Sequence, residues 1–187
     1  LTPASILAGL GIGSVAIGFA FKDVFENFLA GTSILFRREM RMGDHIECEG
    51  IEGKVAHIAI RESHIRQTDG QLVIVPNAML FKNPVYVRTD QKHRRQTVIC
   101  GVAYDVDLSE ARTVISKAVE GCETVEQGDH PIQIFAQEFG DSSINFEVTW
   151  WTGSAPVEQR RSRDEVVTAV KRALDDAGLE IPFPYRT

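Results

Sequence analysis

The chain changes its hydrophobic pattern three times. From Leu1 to Phe21 it carries no charge and is built almost wholly from Gly, Ala, Ser, Leu, Ile, Val and Phe. At about 1.5 Å of rise per residue, Pro3 to Phe21 reaches roughly 28 Å, the hydrocarbon thickness of a bilayer, so residues 1–21 are expected to form a transmembrane helix. Gly9, Gly11, Gly13 and Gly18, with Ala4, Ala8, Ser14, Ala16 and Ala20, leave this helix little bulk. Small-residue surfaces let helix backbones approach closely in a membrane, so protein neighbours are expected as well as lipid. Over residues 22–38 the pattern becomes amphipathic. Phe21, Phe25 and Phe28 recur at i, i+4, i+7 on one face, suited to a helix at the membrane interface and equally to one packed on the following domain.

From Met42 to Val87 short apolar runs alternate with turn signals: Gly43-Asp44 before Ile46, Glu49-Gly50, Glu52-Gly53, a continuation through Val55, Ile58 and Ile60, Thr68-Asp69-Gly70 into Leu72–Val75, then Pro76-Asn77 as a stop. With a last run at Val85–Val87 they predict about five strands, enough for a small β barrel over residues 39–88. Residues 89–187 read differently. Thr97–Val102 is a predicted strand and Asp107–Glu120 a helix, with Asp107 and Glu110 at capping-box spacing. Ile132–Ala136 and Ile144–Trp150 are alternating strands, and Val157–Ala177 is a helix turning Val166, Val167, Val170, Ala173, Leu174 and Ala177 inward, stopped by Gly178 and Pro182. The order βαββα is an α+β sandwich. Neighbouring strand residues face opposite sides, so Trp150-Trp151 is expected to divide its rings between the core and a subunit interface.

Other readings of the first stretch are weaker. A secretory signal wants a charged start and a cleavage site. Gly11-Ile12-Gly13-Ser14-Val15-Ala16 satisfies the dinucleotide fingerprint, which counts only after a strand and before a βαβ unit. Here a charged amphipathic stretch and hairpins follow. A buried helix of a soluble core is the remaining rival.

The chain has 187 residues, 43% hydrophobic and 25% charged, with a net charge of −6. That is enough for two modest domains after the helix, and the acidic balance disfavours a general nucleic-acid binder. Cys48, Cys100 and Cys122 are odd in number and form no C-x-x-C pair, as suits a reducing cytoplasm. Arg37, Arg38 and Arg41 follow the helix and nothing basic precedes it, which places the C-terminal bulk in the cytoplasm. The abrupt apolar start suggests further membrane helices upstream in a multi-pass protein.

Six segments together resemble the small-conductance mechanosensitive channel family: Ala16-Ile17-Gly18-Phe19-Ala20-Phe21, Asn27-Phe28-Leu29-Ala30-Gly31, Arg41-Met42-Gly43-Asp44, Arg66-Gln67-Thr68-Asp69-Gly70 with Val75-Pro76-Asn77, Gly101-Val102-Ala103-Tyr104-Asp105, and Ser142-Ser143-Ile144-Asn145-Phe146. In this order and spacing they cover essentially the whole chain. The resemblance implies a homoheptamer in the bacterial inner membrane, contacting lipids and passing small ions and osmolytes under tension in hypoosmotic stress. It also implies the architecture: a pore-lining transmembrane helix, then an Sm-like β domain and an α/β domain forming a cytoplasmic vestibule.

Carried onto this chain, the family's packing ridges fall on Ala8, Ala16 and Ala20 against Gly11, Ser14 and Gly18. Ile12 stands where that pattern favours a small residue. The apolar gate falls on Val15 and Phe19, one turn apart, which would stack two rings around an axis. Where members often have a kinking glycine this chain has Lys22-Asp23, so the bend falls either at that polar pair or toward Gly31. The chain ends without the terminal strand that closes a small barrel at the base in some members.

Nothing in the sequence forms a persuasive catalytic or metal site, and no cofactor is expected. His45, Glu47, Cys48 and His57 match no zinc spacing and occupy hairpin positions expected to face solvent. Ser142-Ser143 lacks companion His and Asp residues in a recognisable order, and Asp105 with Asp107 suits the turn before a helix. The reading from sequence is a tension-gated channel. Its runner-up is a non-conducting oligomeric membrane scaffold or sensor on the same architecture, and a soluble Sm-like nucleic-acid module is disfavoured by charge.

Overall fold

A computed structural model describes residues 3–182, except for the side chains of residues 4–9. The chain forms two compact units, divided between Asp90 and Gln91.

The first unit opens with α1 (Pro3–Arg37), one helix that runs through Lys22-Asp23 and Gly31 alike. Then come β1 (His45–Cys48), β2 (Ile51–Ile58), β3 (Glu62–Arg66), β4 (Leu72–Pro76), α2 (Asn77–Lys82) and β5 (Tyr86–Val87). The five strands form one antiparallel sheet in the order β4-β3-β2-β1-β5. The strand count matches the sequence expectation, but among the described residues no pairing joins β4 to β5, so the barrel is open within the chain. β1 turns into β2 through Glu49 (φ 48) and Gly50 (φ 76), with Cys48 opposite Ile51. Two successive left-handed residues give the tight turn whose twist matches its flanking strands. Alternation then puts Ile46, Cys48, Val55, Ile65 and Val75 into the core with Met40 and Leu80. Cys48 is therefore buried, contrary to the solvent-facing position expected for it, because it shares the inward face with Ile46. The short helix α2 was not anticipated: Pro76-Asn77 ends β4 and immediately starts a helix.

The second unit comprises β6 (His93–Val102), α3 (Leu108–Glu120), β7 (Gln133–Phe139), β8 (Ile144–Gly153) and α4 (Pro156–Asp176). Its sheet runs β6-β8-β7, the α+β arrangement expected. Asp107 caps α3, its Oδ1 accepting the Ser109 and Glu110 amides at 2.7 and 3.0 Å. Phe146, Val148 and Trp150 of β8 pack with Ala111, Ile115 and Val119 of α3 and with Val166, Val170 and Leu174 of α4. Trp150 is fully buried and donates Nε1–H to Ser162 Oγ at 2.8 Å. Trp151 stacks on His130 with centroids 4.1 Å apart. The inward stripe of α4 is Ser162, Val166, Val170 and Leu174. Val167 (45% exposed) and Ala177 are exposed instead of buried: Val167 lies about a quarter turn off that stripe, and Ala177 is the C-cap, beyond the last helical residue Asp176.

Candidate pore helix and its docking site

α1 has two regimes. From Leu10 to Phe25 almost every side chain is exposed, large apolar ones included: Ile12 at 74%, Val15 at 59% and Phe19 at 75%. Gly11, Ser14, Ala16, Gly18 and Ala20 are exposed too, and a Cβ added at Gly11 or Gly18 would meet nothing within 4 Å. Ser14 returns its hydroxyl to the Gly11 carbonyl at 2.9 Å, which hides a polar group within the helix. The side chain of Ala8 lies outside the described residues. Among the described residues no helix is long and apolar enough to cross a membrane.

Below Glu26 the same helix is anchored. Ala30 and Gly31 are buried, and Ile34 packs against the β-domain core. Asn27 Oδ1 accepts the Ala78 amide at 2.9 Å, and Glu26 pairs with Lys82, so one turn of α1 grips both ends of α2. Phe21, Phe25 and Phe28 lie roughly 120° around the helix from this docking face and remain exposed. The amphipathic stretch therefore does pack on the following domain, but through Asn27, Ala30, Gly31 and Ile34 and not through its phenylalanines. Lys22 and Asp23 are exposed.

Asn77 is the centre of the joint. Fully buried, it accepts the Ser63 hydroxyl at 2.7 Å on Oδ1 and donates Nδ2–H to the Ala59 and Ile60 carbonyls at 2.9 and 3.0 Å. Its own amide reaches the Arg61 carbonyl at 2.9 Å. Every polar group of the side chain is engaged, which fixes the 59–61 turn. Gly31 presses against this turn: an added Cβ would stand 1.9 Å from the Ile60 carbonyl oxygen and 2.3 Å from Asn77 Nδ2. The helix can dock this closely only because residue 31 has no side chain. Read from sequence alone, Gly31 is a hinge candidate and Asn77 a strand stop; in the fold both build this joint. The available signals were the Ala30-Gly31 pair inside an amphipathic helix and an Asn directly after Pro76.

Elsewhere the titratable groups are structural. Burial pushes the Cys48, Cys100 and Cys122 thiols up, away from reactive thiolates. The Glu165 carboxylate, held below its usual range chiefly by the Thr124 hydroxyl and further by the Glu123 and Thr124 amides, caps the turn after α3.

An apolar helix docked by its lower end on a five-stranded domain, followed by an α+β domain, defines the class. Residues 23–86 match the mechanosensitive ion channel beta-domain, and residues 97–181 match the mechanosensitive ion channel MscS C-terminal domain. An MscS family protein of Synechocystis sp. is 32% identical over 97% of this chain and 60% of its own length. The small-conductance mechanosensitive channel of Helicobacter pylori is 30% identical over 96% of this chain and 65% of its own. The crystal structure of Helicobacter pylori MscS in its closed state superposes with a TM-score of 0.90 at 28% identity, covering all of this chain and 73% of that one. The chain belongs to the small-conductance mechanosensitive channel family. It spans about 60% of the length of these curated relatives, and the family is one of channels, not of enzymes.

Proposed function

We propose that this chain contributes the pore-lining helix and cytoplasmic domains of a tension-gated channel that releases small ions and osmolytes under hypoosmotic stress. The observation that carries this reading is the upper half of α1: an apolar helix with small residues, exposed on all sides in the isolated chain. Such a surface is stable only when covered by lipid and by other helices. In this reading residues 1–21 cross the inner membrane in a multi-pass protein, residues 22–38 sit at its inner face, and residues 39–187 form the vestibule wall in the cytoplasm. Seven copies surround the axis. Ala8, Ala16 and Ala20 of one helix meet Gly11, Ser14 and Gly18 of the next, while Phe21, Phe25 and Phe28 couple to lipid.

Val15 and Phe19, one turn apart, then form two apolar rings. Water in such a constriction lacks hydrogen-bond partners and ions meet a desolvation barrier, so the pore closes without being plugged. Lateral tension favours whichever arrangement occupies more membrane area, and widening the rings rewets them. Patch recording of the full-length protein in liposomes under graded suction tests the proposal. Stepwise currents at a reproducible tension are expected; a silent membrane containing correctly assembled protein would favour the scaffold or sensor reading. Native mass spectrometry of the solubilised protein should show a heptamer, and a dominant monomer or dimer would remove the channel altogether.

A further inference from the structure

The apolar face that α1 turns away from the β domain continues past its phenylalanines. Phe21, Phe25, Phe28, Leu35 and Phe36 fall within about 100° of one another around the helix, and all five are exposed. Where the helix ends, this stripe meets a cavity of about 510 Å³ whose lining includes Leu35, Met42 and Ile58 together with Arg38, Arg41 and His57. Among the described residues no carboxylate lines it. The acids nearest in sequence are engaged elsewhere: Glu39 lies 3.9 Å from Arg37, and Asp44 accepts the Arg41 amide at 2.8 Å and the Thr89 hydroxyl at 2.9 Å. Among the described residues neither the Arg38 nor the Arg41 guanidinium has an ion-pair partner. Arg38 also closes the helix in the left-handed region (φ 56), its amide donating to the Ile34 carbonyl at 3.2 Å. Glycine is the usual residue at such a position because a Cβ is strained there. Among the described residues no hydrogen bond of the Arg38 side chain offsets that strain.

We propose that this cavity holds the phosphate of an anionic phospholipid, with Arg38 and Arg41 on the phosphate oxygens and the acyl chains along the stripe from Phe21 to Phe36. This assignment rests on the channel reading, which sets residues 22–38 at the inner face of the membrane. A guanidinium presents a planar fork of N–H donors that matches phosphate oxygens two at a time. A free phosphate would satisfy the arginines but leave the exposed Leu35, Phe36 and Met42 in water, whereas a lipid covers all three with hydrocarbon. Arginines at the end of an interfacial helix reach the phosphate layer while their stems lie on apolar surface. Charge selects the headgroup. A choline or ethanolamine ammonium would find no carboxylate among the described lining residues and two like charges beside it. A lipid of net negative charge, such as phosphatidylglycerol, therefore fits. Because Ile58 of β2 lines the same cavity as Leu35 of α1, one bound lipid would join the helix end and the β domain to the inner leaflet.

The test is binding of radiolabelled phosphatidylglycerol to the delipidated, detergent-solubilised full-length protein, with unlabelled lipids and inorganic phosphate as competitors. Unlabelled phosphatidylglycerol should displace the label at least about fivefold more readily than phosphatidylcholine with the same acyl chains, and inorganic phosphate at equal concentration should not displace it. Arg38→Gln and Arg41→Gln should each weaken binding about fivefold, the effect of one basic side chain beside an anionic lipid surface, while Arg172→Gln in the second unit leaves it unchanged. Arg38→Gly relieves the left-handed backbone, so it should raise the melting temperature and still weaken lipid binding, which separates the role of the side chain from that of the helix end. Equal displacement by phosphatidylcholine, or an affinity unchanged in the double arginine variant, overturns the proposal. Displacement by inorganic phosphate makes this a site for a free anion and overturns the lipid assignment. Binding is scored without conduction: tension-gated currents without this lipid preference remove the site and leave the channel, whereas the preference in a protein that passes no current removes the channel and leaves the site.

Discussion

Replacing Gly31 by Ala tests the joint between α1 and the β domain most directly. The new Cβ would lie 1.9 Å from the Ile60 carbonyl oxygen and 2.3 Å from Asn77 Nδ2. Packed atoms do not approach within 3.0 Å, so helix and turn must separate by about 1.1 Å in an interior that has no slack. Overpacking of this kind costs about 1–3 kcal/mol. The displaced turn also strains the two Asn77 donations to Ala59 and Ile60, and a buried amide left unpaired costs about 1–3 kcal/mol. Against these, Ala gains about 1 kcal/mol over Gly in helix propensity. The balance is a net loss near 3 kcal/mol for the joint, which corresponds to about a hundredfold faster opening. Hydrogen exchange followed by mass spectrometry, on peptides covering 59–64 and 77–82, reads this locally. Gly13→Ala is the control, since nothing lies within 4 Å of a Cβ there and the position carries no assigned packing role. Protection in Gly31→Ala equal to or above wild type would refute the close approach and the role given to Asn77.

Phe19→Ser should make cells leak and patches open at lower tension than wild type, and Val15→Ser should do so more weakly because valine narrows a ring less; misassembly with a normal threshold in whatever assembles would make Phe19 packing filler. Stability should fall on acidification below about pH 6.5, because burial, aided by Lys54, holds His45 below the usual imidazole value. The unfolded chain then takes up the proton first, so the contribution is full above the unfolded value and lost as pH drops through the folded one; thermal melts of His45→Gln should lack this limb. Ser162→Ala strands Trp150 Nε1–H in the core and should cost about 1–3 kcal/mol in urea denaturation followed by tryptophan fluorescence, whereas an unchanged midpoint would mean that the indole finds another acceptor.

Strand existence in both units was legible because alternation has a short period and turn residues mark its ends: Glu49-Gly50 and Thr68-Asp69-Gly70 lie where hairpins turn. The α3 start was legible from Asp107, whose carboxylate does what its position suggests. Two things were not. Val167 reads as inward because it is apolar, yet its neighbour Val166 already occupies the buried stripe with Val170 and Leu174, and adjacent helix residues point about 100° apart; Ser162 joins that stripe because a buried indole needs its hydroxyl. The Gly31–Asn77 joint was hidden because its partners are 46 residues apart in sequence and its meaning lies in an absent Cβ. The docking face and the phenylalanine face both look amphipathic along the helix, and only the tertiary contact separates them.

The continuity of α1 limits where the proposed channel can flex. Phe19 and Gly31 belong to one helix about 18 Å apart along its axis, with the upper part unpacked in the chain and the lower part held by Asn27, Glu26 and the Gly31 contact. A displacement at the upper part therefore acts as a lever on the joint. Bending at Gly31 would have to pull the helix off the Ile60 carbonyl and disturb a fully satisfied buried asparagine, a loss of the order worked out above for Gly31→Ala. Bending at Lys22-Asp23 disturbs less, since both side chains are exposed, Asp23 only borders an open cavity with Arg61 and Ile74, and Asn27 Nδ2 returns to the Asp23 carbonyl at 2.9 Å. That contact also supplies a local cause for a bend, because an amide donor competing for a carbonyl of the helical ladder loosens it on one side. Gly31 is thus better suited to hold than to yield, and we propose Lys22-Asp23 as the place where the helix bends.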